Sequence, residues 1–142
     1  MDPKIYKLFV YGSLRSGFHN PVYNYLTRYF HLCGEALVKG KLFDKGEYPV
    51  ALPSDEDKFI TGELYELNNP EEFDWIFEQL DDYEGLHVEK GEAPLYKRES
   101  VTVYQKGTET TAWVYWYNQD IGNSPELTIG DVLLYLQQKN KP

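Results

Sequence analysis

Three short stretches of this chain gather residue types able to hold or move charge. The first, Val10-Tyr11-Gly12-Ser13-Leu14-Arg15, is a strand-like run that ends in a glycine turn. Successive backbone N–H groups in such a turn can converge on a carboxylate or an oxyanion. A turn that simply needs a glycine would read the same way. The second, Leu80-Asp81-Asp82-Tyr83-Glu84-Gly85, sets three acids beside an aromatic at the end of a helical pattern. The negative end of a helix and neighbouring carboxylates both disfavour ionisation of a Glu placed there. Glu84 so placed suits a general acid/base; an acidic, solvated helix end is the plainer alternative. In the third, Tyr96 and Arg98 lie two apart ahead of the run Ser100–Gln105 and so share one side of an extended chain. Such a pair can orient a carboxylate or merely decorate a sheet face.

Other reactive residues carry weaker signals. His19, His31 and His87 show no metal-ligand spacing, and they read as surface or structural. Ser13 as a nucleophile would need a base, and its flanks do not form a Gly-x-Ser-x-Gly elbow. Cys33, the single cysteine, reads as a small core residue and excludes both an intramolecular disulfide and a cysteine cluster.

Elements that position these stretches follow from the apolar spacing. Lys4 to Tyr11 reads as a strand, and Asn20-Pro21 as the start of a helix over 21–30 with Val22, Tyr25, Leu26, Tyr29 and Phe30 on one side. From Glu35 to Leu67 the runs 36–38, 41–43, 50–52 and 59–67 read as strands broken by Gly40, Gly46, Pro49 and Pro53. In the last of these, Phe59, Tyr65 and Leu67 fall on one face, with Ile60 and Leu64 on the other. Asn69-Pro70-Glu71-Glu72 predicts a capped helix start with Glu72 closing a capping box. Phe73, Ile76, Phe77 and Leu80 form the stripe of that helix, with Gly85 as its stop. Ser100–Gln105 and Thr111–Tyr117 flank Lys106-Gly107-Thr108-Glu109 as a hairpin. A last helical stripe runs through Ile129, Val132, Leu133 and Leu136.

Five or more short strands with a few short helices, mostly without β-α-β alternation, argue for an α+β fold, its edges hidden by curling into a barrel or half-barrel. At 142 residues, without repeats or linkers, the chain is expected to be one domain over residues 1–142. Its 13 Tyr, 7 Phe and 3 Trp supply a core, which excludes intrinsic disorder. A net charge of −9 disfavours nucleic acid and anionic membranes as partners. With no signal peptide and no apolar run near the ~20 residues that span a bilayer, a soluble protein of a reducing, cytoplasmic compartment is expected.

Taken in order, Tyr11-Gly12-Ser13-Leu14, Leu80-Asp81-x-x-Glu84-Gly85 and Tyr96-x-Arg98 resemble the gamma-glutamylcyclotransferase-like superfamily, nearest its gamma-glutamylamine cyclotransferase-like branch. The Ala112–Tyr117 strand and Gly130-Asp131 fit the same pattern, so the resemblance covers essentially the whole chain. An aromatic often follows the Gly-Asp pair in such proteins, whereas Val132 stands here, a packing position.

The resemblance implies a small mixed β-barrel with a few short peripheral helices and one cavity. It implies cyclisation of a gamma-glutamyl amine or peptide to 5-oxoproline with release of an amine, and neither metal nor cofactor. Glu84 matches the acid/base, and Tyr11, Gly12, Ser13 and Leu14 would bind the glutamyl part. Tyr96 and Arg98 are carried as further substrate-binding candidates. Glu84 is then expected in the same cavity as the Tyr11–Leu14 turn, with Asp81 and Asp82 adding negative charge beside it. A non-catalytic module binding an amino-acid-like ligand is the alternative, and a hydrolase using Ser13 ranks below both.

Overall fold

The computed structural model describes residues 5–11, 21–45, 49–83, 96–127, 130–132 and 135. Strand β1 (Lys7–Val10) leads to helix α1 (Pro21–Tyr29), then β2 (Phe30–Asp44), β3 (Pro49–Pro53) and β4 (Phe59–Leu67). A 3-10 turn (Pro70–Glu72) opens α2 (Phe73–Tyr83), and β5 (Tyr96–Gln105) and β6 (Thr108–Tyr117) follow.

Among the described residues, β2, β4, β1, β6 and β5 lie side by side in that order, and β5 returns to β2 through Leu37 and Tyr104. This closes a five-stranded barrel, with β3 added outside it along β2. β1 and β6 are parallel, meeting at Leu8 and Trp113, while the other pairs are antiparallel, so the barrel is mixed. The expected α+β barrel with short peripheral helices is the fold observed.

Strand alternation divides the core in two. Phe9, Val38, Ile60, Leu64, Val103, Val114 and Trp116 are buried together inside the barrel. Their neighbours along the strands, Leu8, Val10, Tyr65, Leu67 and Tyr115, point outward and are buried by Leu26 of α1 and by Ile76, Phe77 and Leu80 of α2. The α2 stripe and the β4 alternation therefore sit as their spacing requires.

Several boundaries differ from the sequence expectation: Phe30 opens β2 instead of closing the helix, and Pro49 and Pro53 are the ends of β3. Gly40 does not break the chain; β2 runs through it for 15 residues. A Cβ there would lie 2.6 Å from Ile60 Cδ1 and 2.9 Å from the Leu52 carbonyl, so the glycine is a packing requirement inside a continuous strand. The hairpin loop is also shorter than the four residues expected. Lys106 and Gly107 alone make it, with φ of 36° and 83°, the two positive values of a type I′ turn.

Asn69 caps as expected, its side-chain oxygen accepting from the Glu71 N–H at 3.0 Å, but the first turn is 3-10 and α2 proper starts at Phe73. Gly85 and most of the last helical stripe lie outside the described residues. Val132 is buried in the barrel interior, and the Tyr135 N–H donates to the Asp131 carbonyl at 2.9 Å, a helical spacing. The Thr61 N–H donates to the Gly130 carbonyl, which seats Gly130-Asp131 against β4.

Candidate active site

Of the residues singled out in the sequence, Tyr11, Tyr96 and Arg98 are described; Gly12, Ser13, Leu14 and Glu84 lie outside the described residues. Tyr11 leaves the end of β1 and packs against the barrel interior. Its ring stacks on Trp116 at 6.4 Å, and its hydroxyl donates to the Tyr115 carbonyl at 2.6 Å. The first residue of the Tyr11–Leu14 turn is thereby tied to β6 at both ring and hydroxyl.

On the other side of β6 the surroundings are different. Asp81, in the last turn of α2, is buried at 9% exposure. Its carboxylate accepts from Arg98 Nε at 2.8 Å and Arg98 Nη2 at 3.1 Å, and from the Tyr115 hydroxyl at 2.7 Å. The guanidinium lies over the Trp113 ring at 4.5 Å and the Phe77 ring at 5.1 Å. A planar guanidinium meets a carboxylate through two parallel hydrogen bonds and stacks on aromatic rings at the same time, which a lysine cannot do. Tyr96 shares this face, as its spacing from Arg98 requires, and its ring meets Tyr117 edge-on at 5.7 Å.

Tyr115 joins the two sides. Its carbonyl takes the Tyr11 hydroxyl, its own hydroxyl holds Asp81, and it faces Arg98 directly in the β5–β6 ladder. Tyr11 and Arg98 are therefore coupled through one residue, but their side chains lie on opposite faces of β6.

Asp81 does not stand as an isolated charge in this arrangement. Its charge was expected to add to that of Asp82, but Arg98 counters it at contact distance. Asp81 pins the end of α2 to the β5–β6 hairpin. Residue-type reasoning missed this pair and the part played by Tyr115. One signal was present: Asp81 stands four residues after Phe77 and so continues the buried stripe of α2.

Sequence and structure comparisons agree with this architecture. The profile of the gamma-glutamyl cyclotransferase, AIG2-like family matches residues 8–132. The chain belongs to the gamma-glutamyl cyclotransferase, AIG2-like family. It is 33% identical over 114 residues to the gamma-L-glutamyl-butirosin B gamma-glutamyl cyclotransferase of Niallia circulans, covering 80% of this chain and 67% of that protein. It is 30% identical over 123 residues to a Methanocaldococcus jannaschii protein named provisionally as a gamma-glutamylcyclotransferase, covering 81% and 87% of the two chains. The crystal structure of YkqA from Bacillus subtilis superposes with a TM-score of 0.66 at 25% identity. That match takes in 96% of this chain but only 44% of YkqA, so the barrel here corresponds to less than half of that protein. Among the described residues, no helix of this family member is long and apolar enough to cross a membrane.

Proposed function

We propose that this family member cyclises a gamma-glutamyl amine or gamma-glutamyl peptide to 5-oxoproline, releasing the amine. The observation that carries the reading is the family match over residues 8–132, which takes in both the Tyr11-Gly12-Ser13-Leu14 turn and Leu80-Asp81-x-x-Glu84-Gly85. In the reaction the substrate's own α-amine attacks its γ-carbonyl carbon. A new C–N bond closes the five-membered ring, and the bond from that carbon to the leaving nitrogen breaks. Glu84 takes the proton from the attacking amine and delivers it to the departing one, so the carboxylate is restored without a co-reactant.

Because attack is intramolecular, most of the acceleration comes from holding the folded conformer of the substrate. The backbone from Tyr11 to Leu14 does this in our reading by binding oxygens of the glutamyl part. Arg98 acts through Asp81 as a positioning residue that fixes the end of α2, and Tyr96 stays a substrate-binding candidate on the same face.

The test is a screen of gamma-glutamyl amines and peptides for 5-oxoproline release by the wild type and by Glu84→Gln. Loss of the acid/base should lower turnover by about 10²–10⁴-fold while thermal stability and substrate binding persist. A panel that yields no 5-oxoproline with the wild type, or normal release by Glu84→Gln, overturns the proposal.

A further inference from the structure

One end of the barrel carries polar residues that the proposed reaction does not use. β1 begins at this end with Lys7 and reaches Tyr11 at the other, so the rim is separated from the Tyr11 turn by the length of the strand. By alternation Lys7, Glu66 and Thr110 share the side of Phe9, Leu64 and Ala112, which places them at the mouth of the interior. Glu66 pairs with His31 in the β2–β4 ladder, and the register of β2 then slips between Leu32 and Gly34. Cys33 is the extra residue of this bulge, and Gly34 takes the positive φ of 118° that follows it. The Gln105 side chain holds the bulge open from β5, donating to the Cys33 carbonyl at 3.3 Å and to the Glu35 carbonyl at 3.2 Å. Cys33 is thus an exposed bulge residue and not the small core residue its type suggested.

The slip turns the thiol toward the same spot as the two cross-strand neighbours. One ligand atom each from His31, Cys33 and Glu66 lies within 4.8 Å of the other two. His31 Nε2 is 3.5 Å from Glu66 Oε1. Donor atoms around a tetrahedral zinc ion lie about 3.3–3.6 Å apart, given bonds of about 2.0–2.3 Å. The His–Glu spacing of 3.5 Å already meets that, and the Cys33 thiol lies within 4.8 Å of both.

The outer partner of the histidine is in place as well. His31 Nδ1 lies 2.8 Å from Asn68 Oδ1, an acceptor that suits an Nδ1–H donor, and Nε2 is the ring nitrogen on the side of the cluster. Asn68 is itself fixed through its backbone N–H, which donates to the Tyr29 carbonyl at 2.9 Å. A histidine whose second nitrogen is held in this way is the usual partner arrangement of a metal-bound imidazole. Lys7, the nearest cation on the neighbouring strand, directs its amine to the Thr110 hydroxyl at 3.2 Å.

We propose that His31, Cys33 and Glu66 form a binding site for a zinc-class divalent cation at the barrel rim, completed by one solvent ligand. One nitrogen, one thiolate and one carboxylate suit zinc in preference to calcium or magnesium, which take oxygen ligands alone. Partial burial and then the Glu66 carboxylate hold the Cys33 thiol above its ordinary pKa, with Lys7 pulling the other way. A bound divalent ion reverses that balance by stabilising the thiolate directly.

The test is a titration of the folded, metal-free protein with Co²⁺, followed by displacement with Zn²⁺. The wild type should develop a near-ultraviolet thiolate-to-cobalt charge-transfer band with the visible bands of tetrahedral cobalt, and one equivalent of Zn²⁺ should abolish both. Cys33→Ser should lose the charge-transfer band. His31→Gln and Glu66→Gln should each weaken binding at least tenfold. Asn68→Ala, which removes no ligand atom, should weaken it by about 10–100-fold. A wild type that shows no charge-transfer band overturns the site. So does a band of unchanged affinity in both His31→Gln and Glu66→Gln, because that would mark a surface thiol acting alone.

Discussion

The two faces of β6 are held together differently. Inside the barrel, the described core is a cluster of apolar side chains running from Phe9 and Val38 to Val114 and Trp116. Beneath α2, a second buried cluster adjoins a buried carboxylate, a partly exposed guanidinium and a phenol hydroxyl. Apolar packing is tolerant of direction, since burial stabilises in proportion to area whatever the angle. The Asp81–Arg98–Tyr115 network is not tolerant, because its carboxylate is satisfied only when the end of α2 sits at one place on the hairpin. A buried ion pair is weak evidence for stability and better evidence for specificity of position. The barrel interior makes the fold, and the charged cluster places one helix end on it.

The largest effect expected from breaking this contrast is that of Arg98→Ala. It strands the Asp81 carboxylate and strips the stacking from Trp113 and Phe77, and should cost about 3–5 kcal/mol in denaturant unfolding. The double variant Asp81→Leu with Arg98→Met sharpens the point. Replacing both charges with apolar groups should return most of that stability. If the pair positions Glu84, kcat should stay low in the double variant while KM changes little. Recovery of kcat together with stability would reduce the pair to packing.

Tyr115→Phe is the next largest. It leaves the ring in place and removes one donor to a charged acceptor, so a loss of about 1.5–3 kcal/mol is expected. The Tyr11 hydroxyl keeps its carbonyl partner in this variant, so near-ultraviolet circular dichroism should change little. On the interior face, Gly40→Ala places a methyl against Ile60 and the Leu52 carbonyl. Overpacking of that kind typically costs about 1–3 kcal/mol, here with no effect on catalysis beyond that of stability.

The smallest effect belongs to the exposed pair of Lys58 and Glu126, which serves as the solvent-facing reference. The hydrogen bond from Lys58 holds the Glu126 carboxyl below its usual range and raises the Lys58 amine. A depressed carboxyl contributes above its unfolded pKa and loses that contribution as pH falls through the folded value. The raised lysine contributes below its unfolded pKa and loses it as pH rises through the folded one. Glu126→Gln should therefore lower Tm slightly at neutral pH, less at acid pH, and not measurably at high salt. A large, salt-independent change would mean that the pair is shielded from solvent and belongs with the Asp81 cluster.

Much of the architecture was legible in the chain itself. Local signals sufficed wherever one residue's surroundings repeat along the sequence. The Phe73, Ile76, Phe77 and Leu80 spacing requires a helix with one apolar side, and the alternation from Phe59 to Leu67 requires a two-faced strand. The Tyr11, Glu84 and Tyr96-x-Arg98 motifs identified the family by their order, which is also a property of the chain alone.

What the chain alone did not reveal depends on residues far apart in sequence. Gly40 looked like a strand break because its steric reason, Ile60 and Leu52 on neighbouring strands, appears only after pairing. Asp81 looked like one of three repelling acids because its cation, Arg98, arrives 17 residues later from another element. His31, Cys33 and Glu66 have no ligand spacing as letters. They converge only because β2 and β4 pair in one register and β2 bulges by one residue. Spacing along a helix or strand fixes which face a side chain shares. Strand register and helix docking decide what stands opposite it, and that is where its charge and chemistry are set.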